Sequence, residues 1–470
     1  MSGTSRDLLL SAAMRAAAYL DTVAGRHVNA TASAATLREV LGGPLPQTAS
    51  DPAHVIATLA RGIDPGLVAT AGPRYFGFVT GGAVPVTVAA EWLGSAWDQN
   101  PGLYVLAPGV SVLEDVVAGW VLELLGLPPT SSVGFVTGCH MANFTGLAAG
   151  RHEVLRRVGW DVERRGLQGA PRLTVVVGDE VHISTVGSLR MLGFGSDDLV
   201  RVPVDAQGRM RADAFAETIA RLDGPLLVCV QAGNVSTGAS DPMSAIIPAA
   251  HARGAWVHVD GAFGLWANAV PELAPQVAGV AAADSWATDA HKWLNVPYDS
   301  GLAIVAHPAP HRAAMSLRAS YLQRGADEER IGMDWVPESS RRSRVIPLYA
   351  LIRALGADGV HDLVARTCRL ARRMATVLAP APGVRILNDV VLNQVLVSFS
   401  TDDGADAAAV THDVIARVQA EGTCWAGGST WQGHEAMRIA VSNWSTTGDD
   451  IDRSAAAILA CHRAALAARR

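Results

Sequence analysis

Lysine is the scarcest chemical resource in this chain. Of 38 basic residues among 470, one is a lysine, Lys292, and the other 37 are arginines. The bias itself reads as codon usage. It also leaves one candidate for any chemistry that needs a primary side-chain amine, because a guanidinium stays protonated and forms no ordinary imine. Cysteine is sparse as well. Cys139, Cys229, Cys368, Cys424 and Cys461 are scattered, odd in number and form no CxxC pair, which argues against a disulfide framework and a structural zinc site. The histidines lack ligand spacing, so no metal is expected. Only 17% of residues are charged and the net charge is −6. No basic domain stands out, which excludes nucleic acid as an expected partner. Clean apolar spans are missing too. The uncharged stretch 124–150 is broken by Pro128-Pro129 and by Ser, Thr and Gly, so no membrane association is expected. Met1 to Asp21 has neither the basic start nor the apolar run of a signal peptide, and a cytoplasmic protein is the default.

Hydrophobic residues make up 49%, enough for a large core. At roughly 100–200 residues per domain, one large domain with smaller appendages is expected. Residues 2–41 read as helical and stop at Gly42-Gly43-Pro44; 111–127 reads as a second helix, starting at a serine and stopping before Pro128. From about Val133 to Val305, short β-branched runs alternate with helical stretches: Val133–Val136, Leu173–Val177, Leu226–Val230, Trp256–Val259 and Gly301–Val305. Continuous apolar runs of this length suit strands buried on both faces, and the pattern predicts an α/β fold with an open, mostly parallel sheet. Residues 327–344 read as an exposed polar loop and 346–376 as helix. Beyond Pro380-Ala381-Pro382-Gly383, strand, helix, strand and helix follow at 391–399, 406–421, 437–441 and 450–468. The predicted organisation is an N-terminal helical segment (1–95), a large α/β domain (96–379) and a small C-terminal α+β domain (380–470).

Ligands of open α/β sheets bind at the carboxyl ends of the strands, and four polar groups fall there. Asp260 ends the run Trp256–Val259. Alone it reads best as a cap or turn residue; functionally it suits a counter-charge for a cationic ring nitrogen. Lys292 lies between two apolar segments, where burial and a cationic neighbour favour a neutral, nucleophilic amine. His182, just after Leu173–Val177, offers a flat ring that can stack on a planar cofactor, although a structural histidine is the commoner case. The turn Thr137-Gly138-Cys139-His140, between a strand and a helix, is an anion cradle of a common kind. An imine-forming lysine, a carboxylate, a stacking ring and a phosphate cradle together are what pyridoxal 5'-phosphate requires.

These segments resemble the group II pyridoxal-phosphate decarboxylases, the family of aromatic-amino-acid, histidine and glutamate decarboxylases. Ala290-His291-Lys292-Trp293-Leu294 followed by Asn295-Val296-Pro297-Tyr298-Asp299-Ser300-Gly301 resembles the family's lysine signature. His258-Val259-Asp260-Gly261-Ala262 resembles its aspartate segment, and Asp179-Glu180-Val181-His182 its stacking-histidine segment. Tyr75-Phe76-Gly77-Phe78, the 231–238 loop and the 348–356 and 437–443 segments are similar to others. The resemblance spans residue 50 to the C-terminus. It implies a fold-type I pyridoxal-phosphate-dependent transferase-like architecture, a carboxy-lyase, and a homodimer with its site at the interface.

Residue by residue, the resemblance implies that Lys292 holds the cofactor as an imine. Asp260 pairs with the ring nitrogen, and His182 and Ala262 take opposite ring faces. Gly138, Cys139 and His140 lie in the phosphate loop, Asp289 and His291 approach the phosphate, and Asn234 lies near the cofactor hydroxyl or substrate. Tyr321 matches the tyrosine of a catalytic loop and is the candidate proton donor to Cα after carbon dioxide leaves. The loop departs from the family pattern, with Cys139-His140-Met141 where small hydroxyl or alanine residues and a glutamate are usual. The run Arg341-Arg342-Ser343-Arg344 reads mainly as a solvated face. The expected substrate is an aromatic or bulky L-amino acid, on the strength of Phe78, Trp92, Trp97 and Tyr104 in the substrate-side segment. Glutamate, 2,4-diaminobutyrate, aldehyde-forming chemistry, an aminotransferase, a carbon–carbon lyase and a non-catalytic relative remain alternatives.

Overall fold

The computed structural model describes residues 4–317, 329–401 and 404–469. The chain divides into two compact units, one of residues 81–372 with 388–395 and one of residues 1–80 with 373–387 and 396–470. The N-terminal helices therefore cluster with the C-terminal region and do not stand as a segment of their own.

The larger unit is built on seven strands: β1 (Ser132–Val136), β2 (Thr174–Gly178), β3 (Val200–Val202), β4 (Leu226–Gln231), β5 (Trp256–Asp260), β6 (Ser285–Asp289) and β7 (Gly301–Val305). Their order is β1-β7-β6-β5-β4-β2-β3. The four pairings from β3 to β6 are parallel, and β7 runs antiparallel to both β1 and β6. Every residue of β1, β4, β5, β6 and β7 is buried, as expected where both faces of a sheet are covered. The apolar runs read from the sequence are all strands. β3 and β6 were not predicted: β6 reads Ser-Trp-Ala-Thr-Asp, and its burial comes from lying between β5 and β7. Trp256, Trp266, Trp286 and Trp293 are the largest fully buried side chains. Each indole N–H donates to an oxygen: Ser285 Oγ, the Asp289 carbonyl, the Val280 carbonyl and Thr367 Oγ1, respectively. A buried indole needs such a partner.

Among the helices of this unit, α1 (Pro85–Trp97), α2 (Pro108–Leu124), α3 (Cys139–Arg157) and α4 (Ile183–Met191) matter most for the site. α2 begins at Pro108, three residues before the predicted serine, because proline suits the first helical turn. α3 lies along β5. Gly150 leaves room for Trp256, and Gly146 for His258: a Cβ there would lie 2.8 Å from His258 Nδ1 and Cε1. The stretch Val345–Leu378 is helical on both sides of Gly356, where φ is 64°.

The arginine run departs from its solvated reading. Arg341 and Arg344 are buried. Arg341 makes a two-pronged pair with Glu114 of α2 at 2.6 and 2.8 Å, Arg330 adds a third contact to Glu114 at 2.9 Å, and Arg344 pairs with Asp299 at 3.0 Å. Burial works against the Glu114 charge, but the two guanidiniums hold its carboxyl below the usual range.

The smaller unit carries a four-stranded sheet, β8 (Val384–Ile386), β9 (Gln394–Phe399), β10 (Gly427–Trp431) and β11 (His434–Ala440), in the order β10-β11-β9-β8. Its N-terminal part is fastened by Arg74, which donates to Asp450 and to the carbonyls of Thr423 and Ala24. Trp425 stacks on Tyr75 with ring centres 5.1 Å apart.

Candidate active site

Successive strand side chains alternate between sheet faces, so Trp256, His258 and Asp260 share one face of β5. Asp260 is 6% exposed, and a carboxylate so placed needs donors. It has four. Thr185 of α4 donates its hydroxyl to Oδ2 at 2.7 Å and Asn143 of α3 its amide at 3.2 Å. The Cys139 thiol and the Ala262 backbone N–H each approach Oδ1 at 3.3 Å. Burial raises the cost of its charge, but His182, the Thr185 hydroxyl, Lys292 and Cys139 together hold its carboxyl below the ordinary value. The structure thus brings Asp260, Lys292, His182 and Cys139 together, as the sequence suggested.

Lys292 Nζ lies 2.9 Å from Asp289 Oδ2. This corrects the expectation of a neutral amine. Burial does disfavour the charge, but Asp289 outweighs it and, with Cys139 and Asp260, holds the ammonium above its ordinary range. The other oxygen of Asp289 accepts the Cys139 backbone N–H at 2.6 Å. One carboxylate therefore joins the lysine to the N-terminus of α3. His291 accepts the Ser300 N–H at Nδ1, which leaves Nε2 carrying the proton of the neutral ring, 3.5 Å from Asp289. Burial first, and then Lys292, keep this ring below its usual basicity against the pull of Asp289. Tyr298 packs on His291, with ring centres 4.3 Å apart.

His182 caps α4: its Nδ1 accepts the Ser184 N–H at 3.2 Å. Ala262 packs against Val136, Cys139, Ala142, Ala287 and Ala303. Two predicted residues have other contacts. Asn234 is buried, and its side-chain carbonyl accepts the Ser236 and Thr237 N–H groups, closing its own turn. His140 is exposed and sets its ring against Gly187 of α4. Tyr321 lies outside the described residues. Asn143, Thr185 and Ser285 were not singled out from sequence. Only Asn143 leaves a signal, and it is spacing alone: Cys139, Asn143, Gly146 and Gly150 lie on one stripe of α3.

A charged amine, a carboxylate at a strand end and a helix N-terminus that already takes an anion form a cluster on an α/β sheet whose chemistry suits pyridoxal phosphate. The residues fit that group: the Cys139 N–H is satisfied by a carboxylate, as a phosphate oxygen would satisfy it, and Asp260 is an acceptor-only group suited to a protonated ring nitrogen. Comparison with known proteins agrees. The pyridoxal-dependent decarboxylase conserved domain matches residues 35–401, and the chain belongs to that family. It is a pyridoxal-phosphate-dependent carboxy-lyase acting on an amino acid. Among its relatives, an aromatic-L-amino-acid decarboxylase of Bacillus atrophaeus is 25% identical over 382 residues, 80% of this chain and 77% of the other. A phenylacetaldehyde synthase of Arabidopsis thaliana is 25% identical over 349 residues, 71% and 70% of the two chains. The crystal structure of Oryza sativa TDC with PLP and tryptamine superposes with a TM-score of 0.91 at 22% identity, covering 98% of this chain and 97% of that one. Among the described residues no cluster of His, Cys, Asp or Glu has metal-binding geometry, and no helix is long and apolar enough to cross a membrane.

Proposed function

We propose that this enzyme converts an aromatic or similarly bulky L-amino acid to its amine and carbon dioxide, with Lys292, Asp260 and His182 around the cofactor. The observation that carries the site assignment is the convergence of the chain's one lysine and Asp260 on the start of α3: the Cys139 thiol meets Asp260, and the Cys139 N–H meets the Asp289 carboxylate that pairs with Lys292. Pyridoxal phosphate, when bound, supplies an aldehyde for amines and a ring that accepts the electrons of the broken Cα–carboxylate bond. In this reading Asp260 keeps the proton on the ring nitrogen, while His182 and Ala262 cover the two ring faces. The α3 N-terminus at Gly138 and Cys139, with His291 Nε2–H, holds the phosphate. Asp289 would then release the Cys139 N–H to the phosphate while staying beside Lys292. Tyr321 is assigned the return of a proton to Cα on the resemblance alone.

The choice of an aromatic side chain is supported by the name of the Bacillus relative. Release of carbon dioxide and amine from a panel of aromatic, acidic and basic L-amino acids tests it, and turnover confined to acidic substrates refutes it. Lys292→Ala should abolish borohydride-fixed cofactor labelling at position 292; labelling of another side chain refutes the site. The phenylacetaldehyde synthase relative favours one second reading, in which dioxygen is consumed and aldehyde, ammonia and peroxide appear. Measured oxygen uptake separates the two.

A homodimer belongs to the same proposal. In the smaller unit Leu9, Leu10 and Met14 are exposed, as are Trp92, Leu93 and Trp97 of α1 in the larger. Trp92, Leu93 and Trp97, exposed on one helix, suit burial against a second copy of the chain. Light scattering that returns 49.1 kDa, the mass of one chain, refutes it. The five cysteines are all free and buried, which supports work in the reducing cytoplasm.

A further inference from the structure

Behind Asp260 runs a chain of buried hydrogen bonds whose direction is fixed at both ends. Trp256 Nε1, which can only donate, gives its hydrogen to Ser285 Oγ at 2.9 Å. Ser285 Oγ lies 2.8 Å from His258 Nδ1, and His258 Nε2 lies 2.9 Å from Asn143 Oδ1. Asn143 Nδ2 reaches Asp260 Oδ2 at 3.2 Å. At the far end the carboxylate only accepts, so the Asn143 amide must turn its NH2 to Asp260 and its oxygen to His258. His258 must then donate from Nε2. The ring is fully buried, and that burial, partly offset by Asp260, drops its basicity to about 4. It is neutral, and Nδ1 is left to accept the Ser285 hydroxyl hydrogen. Every link points toward Asp260.

We propose that His258 and Asn143 are positioning residues for the cofactor: they form a polarised relay that aims an N–H at Asp260 Oδ2 and keeps that side chain a carboxylate facing the ring nitrogen. Neither touches the cofactor. Asn143 presents its donor because His258 sets the amide's orientation, and His258 has a single tautomer because Trp256 and Ser285 set it. Removing His258 leaves Asn143 Oδ1 buried without its donor, so the amide is held from one end only, by Asp260 and Thr185, and aims its N–H at Oδ2 less firmly. Burial, which works against the Asp260 charge, then goes less opposed. The role is independent of which amino acid is the substrate.

The ionisable groups facing Asp260 are Cys139 on α3, Cys229 on β4, His182 before α4, Lys292 after β6 and, beyond it, Asp289 at the end of β6, and His258 on its own strand. All but His258 are common to wild type and variant, so their titration cancels in a ratio of affinities. The probe is pyridoxamine 5'-phosphate, which carries the ring nitrogen and phosphate but no aldehyde, so Lys292 chemistry does not enter. It is titrated into apoenzyme of wild type, His258→Leu and His258→Gln at about pH 8 and about pH 6. His258→Leu should bind about tenfold more weakly at the higher pH, as for one lost hydrogen bond to a charged group. The deficit should widen at the lower pH, where a less supported Asp260 takes up a proton. His258→Gln, which restores a donor where Nε2 stood, should recover most of it. A deficit equal at both pH values means His258 merely supports the fold, and that result, or wild-type affinity, overturns the proposal. If His258→Leu does not fold, Gly146→Ala decides by the same ratio, because its Cβ displaces the ring without removing any hydrogen-bonding group.

Discussion

Asp289→Asn isolates the most consequential contact of the site. In the wild type, Asp289 Oδ2 lies 2.9 Å from Lys292 Nζ and Oδ1 accepts the Cys139 N–H at 2.6 Å. An asparagine can keep the second contact through its carbonyl while turning its NH2 to the lysine, where it opposes an ammonium and suits a neutral amine. An opposite charge this close moves a pKa by roughly 1–3 units. With Asp289 neutral, burial, which already disfavours the ammonium, acts with little opposition. The sign follows: Lys292 is raised in the wild type, so below that value it is charged and not nucleophilic, and the substitution enlarges the neutral fraction at every lower pH. Far below the pKa each unit is tenfold in neutral amine, so the apoenzyme should capture free pyridoxal roughly 10–1,000-fold faster near neutrality. The assay follows imine absorbance in stopped flow across pH. Pyridoxal, lacking the phosphate, separates the effect on the amine from any change at the α3 N-terminus. A pH midpoint unmoved by the substitution, or moved upward, refutes the assignment of Asp289 as the group that holds Lys292 charged.

Two further outcomes follow from packing and charge. Glu114→Gln removes the anion from beside Arg341 and Arg330, both buried, and should cost about 3–5 kcal/mol in urea unfolding. Because the Glu114 carboxyl is depressed, its contribution is present above the ordinary glutamate range and is lost as pH falls through the lowered folded value. The gap between wild type and variant should therefore hold from neutral to mildly acidic pH and close only in strong acid; a gap that closes on raising the pH contradicts the pairing. Gly301→Ala would drive a Cβ into the Gly138 backbone, 2.6 Å from its carbonyl carbon. Two backbones have no flexible end to give way, so a loss of about 1–3 kcal/mol is expected, read from thermal unfolding, and an unshifted melting temperature counts against the close approach.

Strand positions in the larger unit were legible because burial on both faces demands apolar residues, and Leu226–Val230 or Gly301–Val305 can hardly be read otherwise. β6 escaped because its burial is imposed by β5 and β7, not by its own composition. The buried arginines escaped for a similar reason: Arg341 is neutralised by Glu114, 227 positions away, and no local pattern announces that pair. At the site, Asp260, His182 and Lys292 were legible as polar groups at strand ends. The charge state of Lys292 was not, although Asp289 is only three residues upstream, because the carboxylate had been given to the phosphate side. Hydrogen-bond partners such as Thr185 and Asn143 depend on how helices are docked, which a single sequence does not spell out.

That docking has a geometric basis in two rulers of different pitch. Along α3, from midway between Cys139 and Asn143 to Gly150 is nine residues, about 13.5 Å at the helical rise. Along β5, from Asp260 back to Trp256 is four residues, about 13 Å. The stripe of the helix and the face of the strand therefore stay in step over three contacts: Cys139 and Asn143 on Asp260, Gly146 on His258 and Gly150 on Trp256. Glycine is required at the last two because a histidine and a tryptophan fill the gap from the strand side. The bulk on β5 and its absence on α3 together set how far the helix stands from the sheet. The Asp260 donors inherit that spacing. A methyl group at Gly146 should accordingly loosen the cofactor although it is two strand positions from the carboxylate, whereas a methyl group at exposed Gly109, with no atom within 4 Å of its Cβ position, should leave cofactor affinity unchanged.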